Sequence, residues 1–335
     1  MNVKETVLKK LQDEQKKNEF VSGEKLAELC GVSRTAVWKA VKSLQEEGAS
    51  IEAVSNSGYR LIAENQFNQK SIEDALKKIK ADSHIKIIFF TKTDSTNTQA
   101  KKLLLNQSSS ELNKTVCIAA EQTQGRGRLG RKFYSPSQTG IYYSIIYAPK
   151  KAIEAAKITT QAAVGVCRAI KKIYKTECSI KWVNDIFIGD KKICGILTEG
   201  NTNLETGTVD AAVIGIGINI AENKEFPEEL KKSAGSIIHE SKNYMRSELA
   251  AGAISEVIKI IDGTNSVKEK AMEEYKNRSN LTGKKITVTP VIGSKNGRYE
   301  CTVLGISDDA KLIVKTQDGS TKFLDSGEVS LHSGC

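Results

Sequence analysis

The sequence has no run approaching the ~20 apolar residues that a membrane-spanning helix needs, which excludes helical membrane classes. Its start, MNVKETVLKKLQDEQKK, is charged and amphipathic and lacks the apolar stretch of a secretory signal peptide. Together these absences predict a cytoplasmic chain with no membrane partner. The seven cysteines, Cys30, Cys117, Cys167, Cys178, Cys194, Cys301 and Cys335, are scattered, odd in number and never form C-x-x-C. That argues against a disulfide framework and against a zinc site. The three histidines, His84, His239 and His332, stand alone, so no H-x-x-x-H pair offers itself to a metal. Internal repeats and low-complexity tracts are also missing.

What is present is an ordinary soluble composition with one bias. The chain has 335 residues, 39% hydrophobic and 27% charged, enough for two or three domains and a sizeable core. Its net charge of +10 and pI of about 9.1 favour anionic partners: nucleic acid, nucleotides or an acidic protein. A merely solvated Lys-rich surface is the plain alternative.

Three compositional blocks follow one another. The first, to about residue 65, is helical and basic. There Ser22 can cap SGEKLAELC, whose Leu26, Ala27 and Leu29 read as an apolar stripe. Gly31 ends that helix and Ser33 caps the next, SRTAVWKAVKSLQEEG, in which Val37, Val41 and Leu44 form the inward face. Arg34, Thr35, Trp38, Lys39 and Lys42 are left outside with Ser33, suited to phosphates and base edges. Two helices with a short turn, followed by ASIEAVSNSGYRLI as a strand, turn and strand, read as a winged helix-turn-helix. A small helical interaction domain with a solvated basic face is the competing reading. The last block, from about residue 280, has short β-type runs, KKITVTPV, CTVLGI, KLIVKT and TKFL, which suggest a small antiparallel barrel. Between them lies a mixed α/β or α+β block.

That middle block carries the chemistry. GRGRLGRKF, residues 125–133, matches G-x-G-x-x-G at Gly125, Gly127 and Gly130. A dinucleotide-binding turn must open a helix and be followed by an acidic residue about twenty positions on. Here the glycines lead into RKFYSPSQTGIYYSIIYAP, a β-rich run with Pro136, and then into YAPKKAIEAA. The match is therefore accidental. The interleaved arginines supply planar donors for phosphate or carboxylate oxygens. Together with the preceding strand KTVCIAAEQ and Gln122, they predict a loop anchored on a sheet that closes over a small anion; a basic loop on a DNA-binding surface is the alternative.

Further along, SIKWVNDIFIGDKKICGILTEG reads as a strand, a polar turn and two short strands around Gly189–Asp190. Lys181, in an otherwise apolar strand, either meets an anion or snorkels at an edge. AAVIGIGINI is a buried strand whose Gly215 and Gly217 allow close approach, to a ligand or to a packed neighbour. TKTDSTNTQAKKLLL sets Ser95, Thr96 and Asn97 where a strand ends and a helix starts, either as caps or as partners for a neutral polar ligand.

DSTN (94–97), GRGRLGRKFYSP (125–136), KWVND (181–185), KKICGILTE (191–199) and GIGIN (215–219), in this order, resemble the biotin–protein ligases. With the helix-turn-helix, nearly the whole chain is similar to the bifunctional form that is both ligase and biotin operon repressor. The resemblance implies an α+β multidomain chain. Its parts would be a winged helix-turn-helix (1–65), a mixed-sheet α/β ligase domain similar to class II aminoacyl-tRNA synthetases (66–278) and an SH3-like β-barrel (279–335). It implies that biotin and MgATP form biotinyl-5′-adenylate and that biotin then passes to a lysine of a carboxylase's carrier domain. By similarity, Ser95, Thr96, Asn97 and Gln122 would hold the ureido head group. Arg126, Gly127 and Arg128 would wrap biotin and adenylate, and Lys181 would meet the carboxylate and then the α-phosphoryl oxygens. Lys181 and Arg128 are thus the catalytic candidates, and Arg128, Arg131, Phe133 and Asn219 the nucleotide-binding ones. Ser33, Arg34, Thr35, Trp38, Lys39 and Lys42 would bind operator DNA in an adenylate-bound dimer. Mg²⁺ ligands leave no trace in the sequence.

The chain departs from the family at four places. Val183 stands where Pro is usual, Phe133 where Trp is frequent, and Leu129 where Arg is frequent. Ala310 replaces a frequent Gly, a change expected to matter little. Three rivals remain: a repressor with a decayed ligase site, a lipoate or octanoyl ligase, and an enzyme whose N-terminal helices are only an interaction module.

Overall fold

The computed structural model describes residues 2–15, 19–46, 49, 51–55, 57–61, 67–149, 154–202, 209–222, 226–238, 245–289, 297–325 and 328–331. The expected boundary at 65/66, Asn56 of the wing turn, His239 and His332 lie outside these residues.

At the N-terminus α1 (Val3–Gln15), α2 (Gly23–Cys30) and α3 (Arg34–Glu46) precede a two-stranded hairpin, β1 (Ile51–Val54) and β2 (Gly58–Leu61). The capping expected from the sequence is present. Ser22 Oγ accepts from Lys25 N at 3.1 Å, Gly31 takes the left-handed conformation, and Ser33 Oγ accepts from Ala36 N at 3.2 Å. Leu11, Leu26, Val37, Val41, Leu44 and Leu61 bury into a cluster of their own. One expected member fails: Leu29 is 52% exposed. The short α2 turns Leu26, Ala27 and Cys30 toward the cluster, and that rotation carries Leu29 outward.

The middle of the chain builds a seven-stranded mixed sheet. In chain order its elements are α4 (Gln69–Lys78), β3 (Lys86–Phe90), α5 (Thr96–Asn106), β4 (Thr115–Ala119), β5 (Gly140–Tyr147) and α6 (Ala155–Tyr174). Then come β6 (Ser179–Lys181), β7 (Asp185–Ile188), β8 (Lys191–Thr202), β9 (Val209–Asn219), α7 (Glu228–Lys231), α8 (Arg246–Ile261) and α9 (Asn265–Asn277). The strand order is β3-β4-β5-β9-β8-β7-β6, parallel only between β3 and β4. No described helix is long and apolar enough to cross a membrane.

Strand alternation decides what each face carries. On β9, Ala212, Ile214, Ile216 and Ile218 join the large core with Ala163, Val166 and Ile170 of α6 and Ile254, Val257 and Ile258 of α8. Their neighbours Ala211 and Val213 pack with Ala100 of α5, and further along the same face come Gly215, Gly217 and Asn219. β8 does the same with Gly195, Leu197 and Glu199, and β5 with Tyr142 and Ser144. The row Ser144–Gly215–Leu197 runs straight across three strands. One face is thus an apolar core, where each large buried side chain contributes roughly 1.5–3 kcal/mol. The other is half core under α5 and half open floor.

The C-terminal strands β10 (Lys285–Thr289), β11 (Tyr299–Ile306), β12 (Leu312–Thr316), β13 (Thr321–Leu324) and β14 (Glu328–Leu331) form an antiparallel sheet ordered β13-β12-β11-β10-β14. Ile286, Val303, Leu312 and Val314 belong to the same buried cluster as the central sheet. Trp182, beside the site strands, donates its indole N–H to the Ala310 carbonyl at 2.8 Å. Ala310 itself has φ of 61°, in the left-handed region, where a Cβ costs roughly 1–2 kcal/mol. The glycine it replaces therefore matters more than the sequence suggested.

Candidate active site and nucleic-acid interface

A cleft of about 770 Å³ opens over the floor just described. Ser95, Thr96, Asn97, Gln122, Arg126, Gly127, Arg128, Arg131, Phe133, Lys181 and Asn219 all line it, so every catalytic, biotin and nucleotide candidate named from the sequence meets in one place.

The deep end is a closed polar network. Ser95, Thr96 and Asn97 begin α5 and are almost wholly buried. Ser95 occupies the cap position, yet its side chain makes no capping bond. Instead Gln122, from the connection after β4, accepts from Thr96 N at 2.8 Å and from Thr96 Oγ1 at 3.1 Å. The helix start is capped by a residue 26 positions away, which leaves the Ser95 hydroxyl free of that duty. Gln122 is fixed from its other end by donating Nε2–H to Ser135 Oγ at 2.9 Å. Ser144 Oγ lies 2.7 Å from Thr96 Oγ1 and 2.6 Å from Asn97 Oδ1, and its single hydrogen can serve one of them at a time. Asn97 Nδ2 donates to Glu199 Oε2 at 2.8 Å. Gly215 is required here, since a Cβ on it would fall onto the Asn97 carboxamide oxygen.

The open end is cationic. Residues 125–133 join β4 to β5 across the cleft mouth and contain one short helical turn, Arg128–Gly130, with no α-helix after the glycines. The rejection of a dinucleotide turn stands on that connection. Leu129, exposed and with φ of 55°, sits in this turn. Arg128 Nη1 donates to Asn184 Oδ1 at 3.1 Å. Asn184 is buried and held by Nδ2–H to Ile196 O at 2.9 Å and by Ile196 N–H to its own carbonyl at 3.0 Å. Lys181 ends β6 half-buried, opposite Asp185 in register. The Trp182–Val183 peptide that follows is cis, in the slot where the resembled family usually has proline. Phe133 lies over the paired glycines Gly195 and Gly217; a Cβ on Gly217 would approach its ring to 2.5 Å. Its ring also meets Tyr142 edge-on at 6.3 Å. Lys192 pairs with Asp185 at 2.7 Å on the cleft wall, and Thr287, Thr289 and Arg298 bring the C-terminal sheet to its rim.

Electrostatically, the carboxylate bonded to Asn97 in the floor is Glu199. Desolvation would raise its pKa, but hydrogen bonds from Lys101 and Asn97 and the charges of Lys101 and Arg126 outweigh it and hold the group below the ordinary 4.5. Sequence reasoning gave roles to neither Glu199 nor Asn184 nor Ser144. The first two lay inside motifs already singled out; Ser144, in a hydrophobic strand run, carried no signal.

On the first domain, Ser33, Arg34, Thr35, Trp38, Lys39 and Lys42 are all exposed on α3 and its cap. Trp38 is 52% exposed, with Lys42 Nζ 5.3 Å from its ring centroid. A basic, aromatic helix face next to a hairpin suits phosphates and a groove.

Known proteins agree on both halves. Residues 89–219 match the biotin/lipoate A/B protein ligase family, and residues 5–60 match an HTH domain. The chain is 33% identical to the bifunctional ligase/repressor BirA of Bacillus spizizenii over 91% of this chain and 92% of that protein. It is 30% identical to the Escherichia coli protein of the same name over 94% of each. Among solved structures, biotin protein ligase from Aquifex aeolicus in complex with biotin and ATP matches with a TM-score of 0.61 and 26% identity. That match covers 74% of this chain and 98% of the other.

Proposed function

The chain belongs to the bifunctional ligase/repressor family of biotin–protein ligases, and from that premise we propose that it activates biotin and regulates transcription with the product. Biotin carboxylate oxygen attacks the α-phosphorus of ATP, the bond to the β-phosphate oxygen breaks, and pyrophosphate leaves. A lysine amine of a carboxylase's carrier domain then attacks the acyl carbon of biotinyl-5′-adenylate, and AMP leaves.

The observation that carries this reading is the pairing, in one cleft, of a buried hydroxyl-and-amide floor with a cationic rim. A cyclic urea offers two N–H donors and a carbonyl acceptor, which Ser95, Thr96, Asn97 and Gln122 complement. Arg126, Gly127 and Arg128 close over the acyl chain and phosphoryl group. Lys181 neutralises first the carboxylate and then the charge that builds on the α-phosphoryl oxygens, which is where a fixed cation accelerates the step. Arg131, Phe133 and Asn219 face the nucleotide. Mg²⁺ carried on the triphosphate needs few protein oxygens. Asp185 and Asp190 are carboxylates on the cleft wall, and among the described residues no larger cluster of metal ligands gathers. The residues thus fit a cation that arrives with ATP and neutralises its phosphates.

The same floor disfavours a lipoate ligase. A dithiolane cannot satisfy these buried polar groups, and sites built to hydrogen-bond reject ligands that leave them unpaired. The presence of Lys181 and Arg128 in the cleft speaks against a repressor with a decayed ligase site. Ser33, Arg34, Thr35, Trp38, Lys39 and Lys42 form the DNA face of an adenylate-bound dimer that represses the biotin operon. We read the domains as 1–65, 66–278 and 279–335, with a class II synthetase-like central sheet and an SH3-like barrel last.

The deciding experiment is mass spectrometry of the purified chain after incubation with biotin and MgATP, followed by addition of a carrier domain. Retained biotinyl-5′-AMP and a biotinylated carrier are expected; an unchanged carrier and no adenylate would overturn the ligase reading. Sedimentation separates the regulatory half: equal dimer affinity with and without adenylate would refute ligand-coupled dimerisation. Failure to retard operator DNA would reduce the first domain to an interaction module.

A further inference from the structure

Glu199 is a carboxylate tied into the floor's hydrogen-bond network. Its Oε2 accepts from Asn97 Nδ2 at 2.8 Å, while Oε1 meets Lys101 Nζ at 2.7 Å and Arg126 Nη2 at 3.4 Å. The side chain is only 18% exposed. Lys101 and Asn97 come from α5, Glu199 from β8, and Arg126 from the Gly-Arg loop, so three segments of the site touch through one group.

Two consequences follow from elementary chemistry. A carboxylate accepts hydrogen bonds and cannot donate them. Asn97 must therefore turn Nδ2 toward Glu199, which leaves Oδ1 toward Ser144, as observed at 2.6 Å. Were the amide reversed, its oxygen would confront the carboxylate. Arg126 is the first arginine of the loop and is half exposed; its guanidinium meets Glu199, and its backbone bridges to Lys132. The network then closes on itself. It runs from Ser135 at the far end of the loop through Gln122, the Thr96 N–H and hydroxyl, Asn97 and Glu199 to Arg126 near its start, with the Ser144 hydrogen bridging Thr96 or Asn97 one at a time.

We propose that Glu199 is a positioning residue for biotin: through Asn97 it sets which end of the floor's amide meets the ureido group, and through Arg126 it ties the Gly-Arg loop to that floor. The inference rests on the biotin reading above. Its role is in binding, because Glu199 bonds to the floor amide Asn97, while Lys181 stands on β6, two strands across the sheet from β8. The loop and the head-group floor are thereby one unit.

The test is biotin-dependent pyrophosphate exchange with the full chain, comparing wild type, Glu199→Gln and Lys101→Met. Glutamine keeps the shape but offers one acceptor and an N–H₂ that confronts a donor. Glu199→Gln should raise KM for biotin by about tenfold or more, with kcat and KM for ATP within about twofold, as expected for loss of a charge-assisted hydrogen bond used only in binding. Lys101→Met, which leaves the contacts to Asn97 and Arg126, should keep KM for biotin within about threefold. A purely structural role lowers the yield of folded enzyme and leaves both KM values alone; that result overturns the proposal. So does an equal rise in Lys101→Met, which would place the effect in the ion pair with α5. If wild type itself shows no biotin-dependent exchange, the biotin reading falls and takes this inference with it.

Discussion

The two ends of the cleft are built on opposite principles. At the head-group end Thr96, Asn97, Gln122 and Ser144 are packed, mutually bonded and drawn from three segments of the sheet and α5. At the phosphoryl end Arg126 and Arg131 are exposed on a connection with little regular structure, and Arg128 is held through Asn184. A neutral, directional ligand such as a urea gains from a preorganised site, since buried polar groups are costly unless every partner is in place. A charge that moves from carboxylate to phosphoryl oxygens is better met by cations that can follow it.

That contrast can be broken first at the cationic end. Lys181→Ala should slow adenylate formation by about 10²–10³-fold, the loss typical of a removed transition-state donor, as read in single-turnover assays. Near-normal adenylation would take Lys181 out of the chemistry. The floor should respond differently. Gly215→Ala puts a methyl onto an amide that cannot move without releasing Glu199 and Ser144, so overpacking of roughly 1–3 kcal/mol should appear as a rise in KM for biotin of up to about a hundredfold. Calorimetry showing unaltered biotin affinity would contradict a rigid floor.

Smaller changes sharpen the comparison. Arg128→Gly removes the tie to Asn184 and should release the adenylate about tenfold faster. Tight retention in that variant would contradict the closing loop. The floor should also show a pH effect. Because the folded pKa of Glu199 is depressed, its stabilisation is complete above its ordinary 4.5 and fades as pH falls through the lower folded value. The Tm difference between wild type and Glu199→Gln should therefore be constant from pH 8 to about 5 and shrink toward pH 3. Outside both regions, Ala310→Gly relieves left-handed strain but adds unfolded-state entropy, so a stability change within about 1 kcal/mol is expected from denaturant midpoints.

Much of this protein is written locally in its sequence. Ser22, Gly31 and Ser33 punctuate the first helices through bonds to residues three or four away, and the periodicity of Val37, Val41 and Leu44 selects the face left to Arg34 and Lys42. The failure of a helix to follow Gly130 was legible in the residues after it, and the order of the short motifs was enough to mark the family. What tertiary structure decided is everything that depends on strand register. That Gln122 caps α5 in place of Ser95, that Phe133 rests on Gly195 and Gly217, and that Glu199 reaches both Asn97 and Arg126 are contacts across 26 to 102 positions. Packing likewise turned Leu29 outward and set Ala310, in a left-handed conformation, against the Trp182 indole. A residue's type limits which partners it can bond, but only the pairing of β5, β9 and β8 determines which ones lie within reach.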